Sequence, residues 1–297
     1  MQSPTAPEPL SVADAARIAT YSPRSPGSSP AIETAQAAHR IRLVGRWPAV
    51  RPGARVLELG CGQGSATAVL AAAVGPSGHV DAVDPGPLDY GAPFTLGQAQ
   101  AHMSASAVGD RITWHRATPQ DFLSSSAPDH RVWDVAVLAH CVWYFASERE
   151  LAGILAALRG RVGRVCVAEY ALRATERAAV PHVLAVLARG SLESHRAESV
   201  ENVRSPLSPA AIRRVAGESR WECAHESFVV PEAGLLDGSW EVGTVASDGF
   251  LREVDEAVSD ERVKSMIVSA RDATVAAVEA LDGAKVQTMD VWVAVFA

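Results

Sequence analysis

Residues 55–64 read Arg55-Val56-Leu57-Glu58-Leu59-Gly60-Cys61-Gly62-Gln63-Gly64. Arg55 to Leu59 has the composition of a short buried strand. Three glycines follow at alternate positions, and the alanine-rich run from Ser65 to Val74 predicts a helix stopped by Gly75-Pro76-Ser77-Gly78. A strand, a glycine turn and a helix in that order let backbone approach a ligand closely, because glycine carries no Cβ. In α/β sheets, ligands sit in the crevice at the carboxyl ends of such strands.

Outward from this turn the pattern repeats. His79 to Asp84 predicts a second strand, Thr95 to Ala107 a helix and Arg111 to Arg116 a third strand. Val132 to Ala139 is almost continuously apolar, as a strand covered on both faces should be. Ser147 and Glu150 form a capping box for the next helix, and Arg164 to Glu169 predicts a fifth strand. Such βαβα alternation implies a parallel, doubly wound sheet.

The rhythm then breaks. Residues 174–195 read as an apolar helix interrupted by Pro181, and Ser208-Pro209 opens a helix through Val215. Glu222 to Val230 predicts a strand, Glu253 to Leu281 one or two helices, and Val286 to Phe296 a closing strand. Upstream, residues 1–10 are proline-rich and expected to be disordered, residues 11–19 form a short helix, and a helix capped by Ser29 runs to about Trp47. The expected organisation is an N-terminal extension with lid helices at 1–47 and a core at 48–170. A helical lid insertion follows at 171–207, then the C-terminal part of the core at 208–297, with a helical insertion at about 231–282.

Asp84 stands 20 residues after Gly64, where a carboxylate can accept two hydrogen bonds from a ribose diol. The dinucleotide pattern G-x-G-x-x-G requires glycine at position 65, which is Ser65, and no Gly-Lys-Ser/Thr follows as a phosphate loop would need. Glu58 would repel a pyrophosphate and suits a ligand with positive charge near the turn. Glu58-x-Gly60-x-Gly62-x-Gly64 with Asp84 resembles the class I S-adenosylmethionine (SAM)-dependent methyltransferases. The element order over about 55–170 is similar to that family's core, and the two final strands to its last two.

The resemblance implies a Rossmann-like, doubly wound, seven-stranded α/β sheet with helical lid insertions, SAM as cofactor and S-adenosylhomocysteine as product. It places the methionine and ribose part of SAM along Gly60, Cys61, Gly62 and Gly64, and the amino group at Glu58. Asp84 would take the ribose hydroxyls, with Pro85 and Gly86 beside the adenosine. Where the family often has an acidic residue after its third strand, this chain has Ala117 or Thr118, so the adenine contact falls to Thr118, Gln120, Asp121 or a backbone group.

The end of the fourth strand faces the reacting methyl in that family. His140 there is read as a general base, because its ordinary pKa near 6.5 suits proton removal, or as a residue that only holds cofactor or loop. Trp143 and Tyr144 are candidate walls of the transfer site, aromatic faces being favourable to a sulfonium, and Tyr144 is also a catalytic candidate. Glu169, Tyr170, His182 and Trp240 are candidates for substrate contact. Tyr21 and Arg24 are candidates to close on the SAM carboxylate, which arginine can bind in bidentate fashion.

The 297 residues carry 34 acidic and 27 basic side chains, a formal charge of −7, which argues against a general nucleic-acid binder. No run approaches the roughly 18 apolar residues of a membrane span, and the first residues have neither the basic nor the apolar part of a secretory signal. Cys61, Cys141, Cys166 and Cys223 form no CxxC pair, and no His/Cys cluster has metal-ligand spacing. The expectation is a reduced, cytoplasmic enzyme, monomer or homodimer, without metal, nucleic acid or membrane. It methylates oxygen, nitrogen or sulfur of a small molecule, in the manner of methyltransferases of microbial and fungal secondary metabolism. The alternative is a methyltransferase-like binder of SAM or a metabolite that rearranges or regulates without methylating.

Overall fold

Strand β1 (Arg55–Leu59) alternates its side chains between two apolar layers, Val56 on one face and Leu57 and Leu59 on the other. The period of two puts Glu58 on the Val56 side, where it is 1% exposed. This computed structural model describes residues 10–24, 27, 29–125, 132–199 and 201–297. The expected disordered start therefore lies, but for Leu10, outside the described residues.

The chain runs through α1 (Ala15–Ala19), α2 (Ala31–Val44), β1, α3 (Ser65–Val74), β2 (His79–Asp84), α4 (Leu96–Ser104), β3 (Ile112–Arg116) and α5 (Pro119–Ser125). It continues with β4 (Trp133–Ala139), α6 (Glu148–Leu158), β5 (Val162–Tyr170), α7 (Val180–Glu193), α8 (Pro209–Glu218) and β6 (Cys223–Val229). It ends with α9 (Asp237–Ala246), α10 (Asp248–Ala257), α11 (Glu261–Glu279) and β7 (Val291–Phe296). Sheet order is β3-β2-β1-β4-β5-β7-β6. The order reverses between β1 and β4, the switch point at which open α/β sheets bind ligands.

Helices cover both faces. Residues of α1, α2, α3 and α4 pack on the side of Val56, Val80 and Val137, and α5, α6 and α8 on the side of Leu57, Leu138 and Phe296. The sheet is not wholly parallel: β7 runs antiparallel to both β5 and β6. Register explains the reversal. Tyr170 of β5 and Val229 of β6 both pair with Val291, so the chain between β6 and β7 leaves and re-enters at one edge, the carboxyl end of the parallel strands. Residues 230–290 therefore stand at the same edge as the glycine turn.

Local chemistry accounts for most boundaries. Ser147 accepts the Glu150 N–H and begins α6, while the Glu150 carboxylate accepts from Ala146 rather than completing the box on Ser147. Pro181 does not interrupt α7: it lies in the first turn, where a missing N–H is harmless. Residues 286–290 do not join β7, and α2 ends at Val44 rather than Trp47. Helix α5 stands between β3 and β4 where the sequence pattern predicts no helix, whereas α9 falls within the helical insertion expected at about 231–282. Together, α7, α9, α10 and α11 share a core of their own, built on Ala188, Leu192, Val245, Phe250 and Ile267.

Candidate active site

The glycine turn is shaped by three left-handed residues, Gly60 at φ 75°, Gly62 at φ 52° and Gly64 at φ 88°. A Cβ at Gly60 would stand 2.5 Å from Cys141 Cβ, and one at Gly64 2.8 Å from Met103 Cε. At Gly62 nothing lies within 4 Å, so its missing Cβ leaves open space on the turn. Asp84 organises this cradle. Its Oδ2 accepts the Gly62 N–H and its Oδ1 the Gly86 N–H, each at 2.8 Å. A carboxylate has about four acceptor positions, so two remain for a diol.

Glu58 accepts the Thr67 hydroxyl at 2.6 Å. Burial pushes its carboxyl up to about 7, against the opposing pull of that hydrogen bond. Cys61 and Cys141 flank the turn, and burial holds both thiols well above their ordinary range.

Beyond β4 and β5 lies a buried polar cluster. His140 takes a positive φ of 54°, an uncommon conformation outside glycine, while its N–H donates to the Ala168 carbonyl at 2.8 Å. Its Nδ1 is 3.5 Å from Glu169 Oε1, and both ring nitrogens lack hydrogen-bond partners. Burial, reinforced by the Arg40 cation, holds the imidazole well below 6.5 and hence neutral at pH 7. Glu169 accepts the Val142 N–H at 2.9 Å and the Tyr170 N–H at 3.0 Å; burial raises it to about 7 against those bonds. Tyr170 packs on His140, Trp143 and His182, with ring centroids 4.4, 5.5 and 5.1 Å away.

The remaining site candidates separate clearly. His182 accepts the Met289 N–H on Nδ1, and burial lowers it to about 4. Trp143 is buried and donates its indole N–H to the Leu207 carbonyl, whereas Tyr144 is 44% exposed and its hydroxyl, raised above its ordinary range mainly by burial, feels the charges of Glu169 and Asp84. Trp240 is 54% exposed on α9 and also stands apart. Tyr21 is buried, with its hydroxyl accepting from Arg17, and Arg24 is exposed; neither joins the cluster. Thr118 and Asp121 bond each other at the start of α5, Gln120 is half-buried, and Pro85 is exposed.

Three side chains of the cluster escaped sequence reasoning. His39 has its ring 5.8 Å from that of His140 and keeps both nitrogens unpartnered. Arg40 stands beside it, buried, and Asp237 of α9 bonds Gln36 at 2.9 Å. The signal was Gln36, His39 and Arg40 at helical spacing on one face of an otherwise apolar helix.

The same geometry meets independent comparison. The profile of the protein-L-isoaspartate(D-aspartate) O-methyltransferase family matches residues 24–129, which span the cradle. The methyltransferase phomM′ of Diaporthe leptostromiformis is 30% identical over 277 residues, covering 80% of this chain and 71% of that protein. A crystal structure of a cyclopropane-fatty-acyl-phospholipid synthase-like protein from Lactobacillus casei superposes with a TM-score of 0.81 at 31% identity, over 96% of this chain and 99% of that one. A putative sarcosine dimethylglycine methyltransferase from Galdieria sulphuraria, at 10% identity and TM-score 0.51, shares the fold. The chain belongs to the class I SAM-dependent methyltransferases. Membership in that family implies SAM as the cofactor, and among the described residues no helix is long and apolar enough to cross a membrane.

Proposed function

We propose that this enzyme transfers the methyl group of SAM to an oxygen, nitrogen or sulfur atom of a small molecule, with His140 as the proton acceptor. The observation that carries the reading is the placement of His140: neutral, strained and unpartnered, at the switch point beside the cradle. When bound, SAM supplies a methyl already activated on a sulfonium. The chain's task is then alignment and exclusion of water, which can supply much of the rate. Asp84 and the glycine turn hold the nucleoside. Glu58 holds the amino group. Trp143 and Tyr170 wall the transfer site, and a free imidazole nitrogen of His140 takes the proton that the nucleophile loses. Glu169 orients that imidazole, and His182 supports Tyr170.

The helices at 10–47, 171–207 and 231–282 act as lids on the core, the last of them at the carboxyl edge of the parallel strands. The net charge of −7 favours a neutral or charged metabolite over nucleic acid, and four free cysteines suit the cytoplasm. The enzyme works as a monomer or homodimer on an acceptor of the secondary-metabolite type.

The test is methyl transfer from labelled SAM into candidate metabolites, with titration of S-adenosylhomocysteine alongside. Asp84→Ala should weaken that binding at least about tenfold, since a hydrogen bond to a charged group contributes about 1.5–3 kcal/mol. Unchanged binding would remove Asp84 from the site. Failure of every acceptor, with tight cofactor binding, would favour a non-methylating role.

A further inference from the structure

His39 and Arg40 occupy successive positions of α2, and both are buried. Both ring nitrogens of His39, both of His140, and Nε and Nη1 of Arg40 have no hydrogen-bond partner among the described residues. Buried polar atoms are nearly always matched, so unmatched ones on adjoining side chains mark a place where a ligand binds. The two imidazoles come from different elements, with ring centroids 5.8 Å apart and planes tilted by 41°. Gln36, one turn before His39, bonds Asp237 of α9 at 2.9 Å and ties this part of α2 to the helical cap. An oxygen about 2.9 Å from one nitrogen of each ring would lie about 4 Å from each centroid. At the observed separation the two contacts would meet at that oxygen at about 90°, within the spread of a hydroxyl's donor and acceptor positions. Glu169 Oε1, 3.5 Å from His140 Nδ1, favours the proton on that nitrogen and leaves Nε2 as an acceptor. Burial keeps His39 neutral too, so it brings an N–H donor, and Arg40 brings donors alone. A ligand that serves this set must both donate and accept. An amine nitrogen in attack spends its only lone pair on the methyl group, and a thiol is a weak partner in both senses. A hydroxyl oxygen attacks with one lone pair and keeps a second.

We propose that the methyl acceptor is a hydroxyl group clasped between His39 and His140, its oxygen accepting the His39 N–H while its proton points at His140 Nε2, so that α2 supplies a second catalytic residue. This rests on the methyl-transfer reading of the site and narrows its acceptor to oxygen. One oxygen lone pair forms the bond to the methyl carbon, the sulfur–carbon bond breaks and returns its pair to sulfur, and the hydroxyl proton passes to His140. The His39 N–H stays on the second lone pair and holds the first in line.

The experiment titrates phenol, aniline, benzenethiol and benzene into the full chain saturated with S-adenosylhomocysteine, following the ring nitrogens of its histidines by nitrogen-15 NMR. Phenol should bind at least about fivefold more tightly than the other three, the effect of two hydrogen bonds, and should shift the ring nitrogens of both His39 and His140. His39→Phe, which keeps a ring and loses the nitrogens, should abolish the preference, and His39→Gln, which restores an N–H donor, should recover part of it. A preference that survives in His39→Phe overturns the assignment, as does a response confined to His140. So does phenol that binds no better than aniline, benzenethiol or benzene, or that leaves both rings unmoved. The ring shifts are read on the unaltered chain, so the outcome does not depend on a variant that folds. If S-adenosylhomocysteine itself fails to bind, the methyl-transfer reading fails, a result distinct from a saturated protein that ignores phenol.

Discussion

His140 Nδ1 stands 3.5 Å from Glu169 Oε1, close enough to orient the ring and too long for a strong hydrogen bond. The pair sets a first prediction. Because burial keeps His140 neutral, the base is available throughout pH 6–9, and kcat/KM should show no inflection from this group in that range. His140→Ala should lower kcat about 10²- to 10⁴-fold, the usual contribution of a positioned base. Full activity of that variant from pH 6 to 9 would refute the proton-acceptor role.

Glu58 sets the second, through stability. Its folded pKa of about 7 lies above its ordinary 4.5. The proton is thus held more tightly in the folded chain, and the stabilisation is fully present below about pH 4.5 and lost as pH rises through about 7. Removing the ionisable group should flatten this loss. Urea unfolding of the ligand-free chain at pH 5 and pH 8 should show Glu58→Gln losing less stability than the unaltered protein, by at most about 3 kcal/mol at 1.36 kcal/mol per unit. The Thr67 hydroxyl can rotate to bond an amide, so glutamine fits. Identical pH slopes would contradict the raised pKa. His182, lowered to about 4, acts oppositely: its contribution is lost as pH falls below about 6.5.

The glycine turn separates strain from collision. Gly62→Ala meets nothing within 4 Å and pays only for its positive φ, about 1–2 kcal/mol. Gly60→Ala adds a clash with Cys141 Cβ at 2.5 Å, another 1–3 kcal/mol of overpacking. Thermal or urea unfolding should therefore rank Gly60→Ala as the less stable. Gly62→Ala should fold and yet lose cofactor affinity, because its methyl enters the open cradle. Equal stability of the two would show that the turn relaxes around Gly60.

In the helical cap, Arg189 is 2% exposed and meets Glu253 at 2.6 Å and buried Glu193 at 3.8 Å. Arg189→Ala would strand Glu193, for which Arg196 at 2.7 Å compensates only in part. The expected loss is about 3 kcal/mol, with hydrogen exchange rising in α7 and α9–α11 before the sheet. A loss spread evenly over the sheet would mean that the cap has no separate cooperativity.

Much of this architecture was legible because its causes are local. Strands β1 and β2 and helix α3 begin and end at the predicted residues, since alternation, a glycine turn and a Gly-Pro stop act within a few positions. Asp84 was legible for the same reason, from its distance to the glycines. Trp143 and Tyr144 were not separable: they are neighbours in one short turn, and only packing decides that one is buried and the other exposed. Trp240 looked like a site residue in an insertion, yet Asp237, three residues earlier on α9, is the one that reaches Gln36 of α2.

By itself the sequence determined the glycine cradle of this protein: the turn, Glu58 and Asp84, all set by short-range backbone geometry and strand period. Tertiary structure alone decided the buried polar cluster beside it. His39 and Arg40 from α2, His140 and Tyr170 from the ends of β4 and β5, and His182 from α7 meet only because residues far apart in the chain bury apolar faces against one sheet edge. That burial is what leaves His140 neutral and Arg40 unpaired. Neither property is encoded near those residues in the chain, because each depends on the water that distant helices exclude.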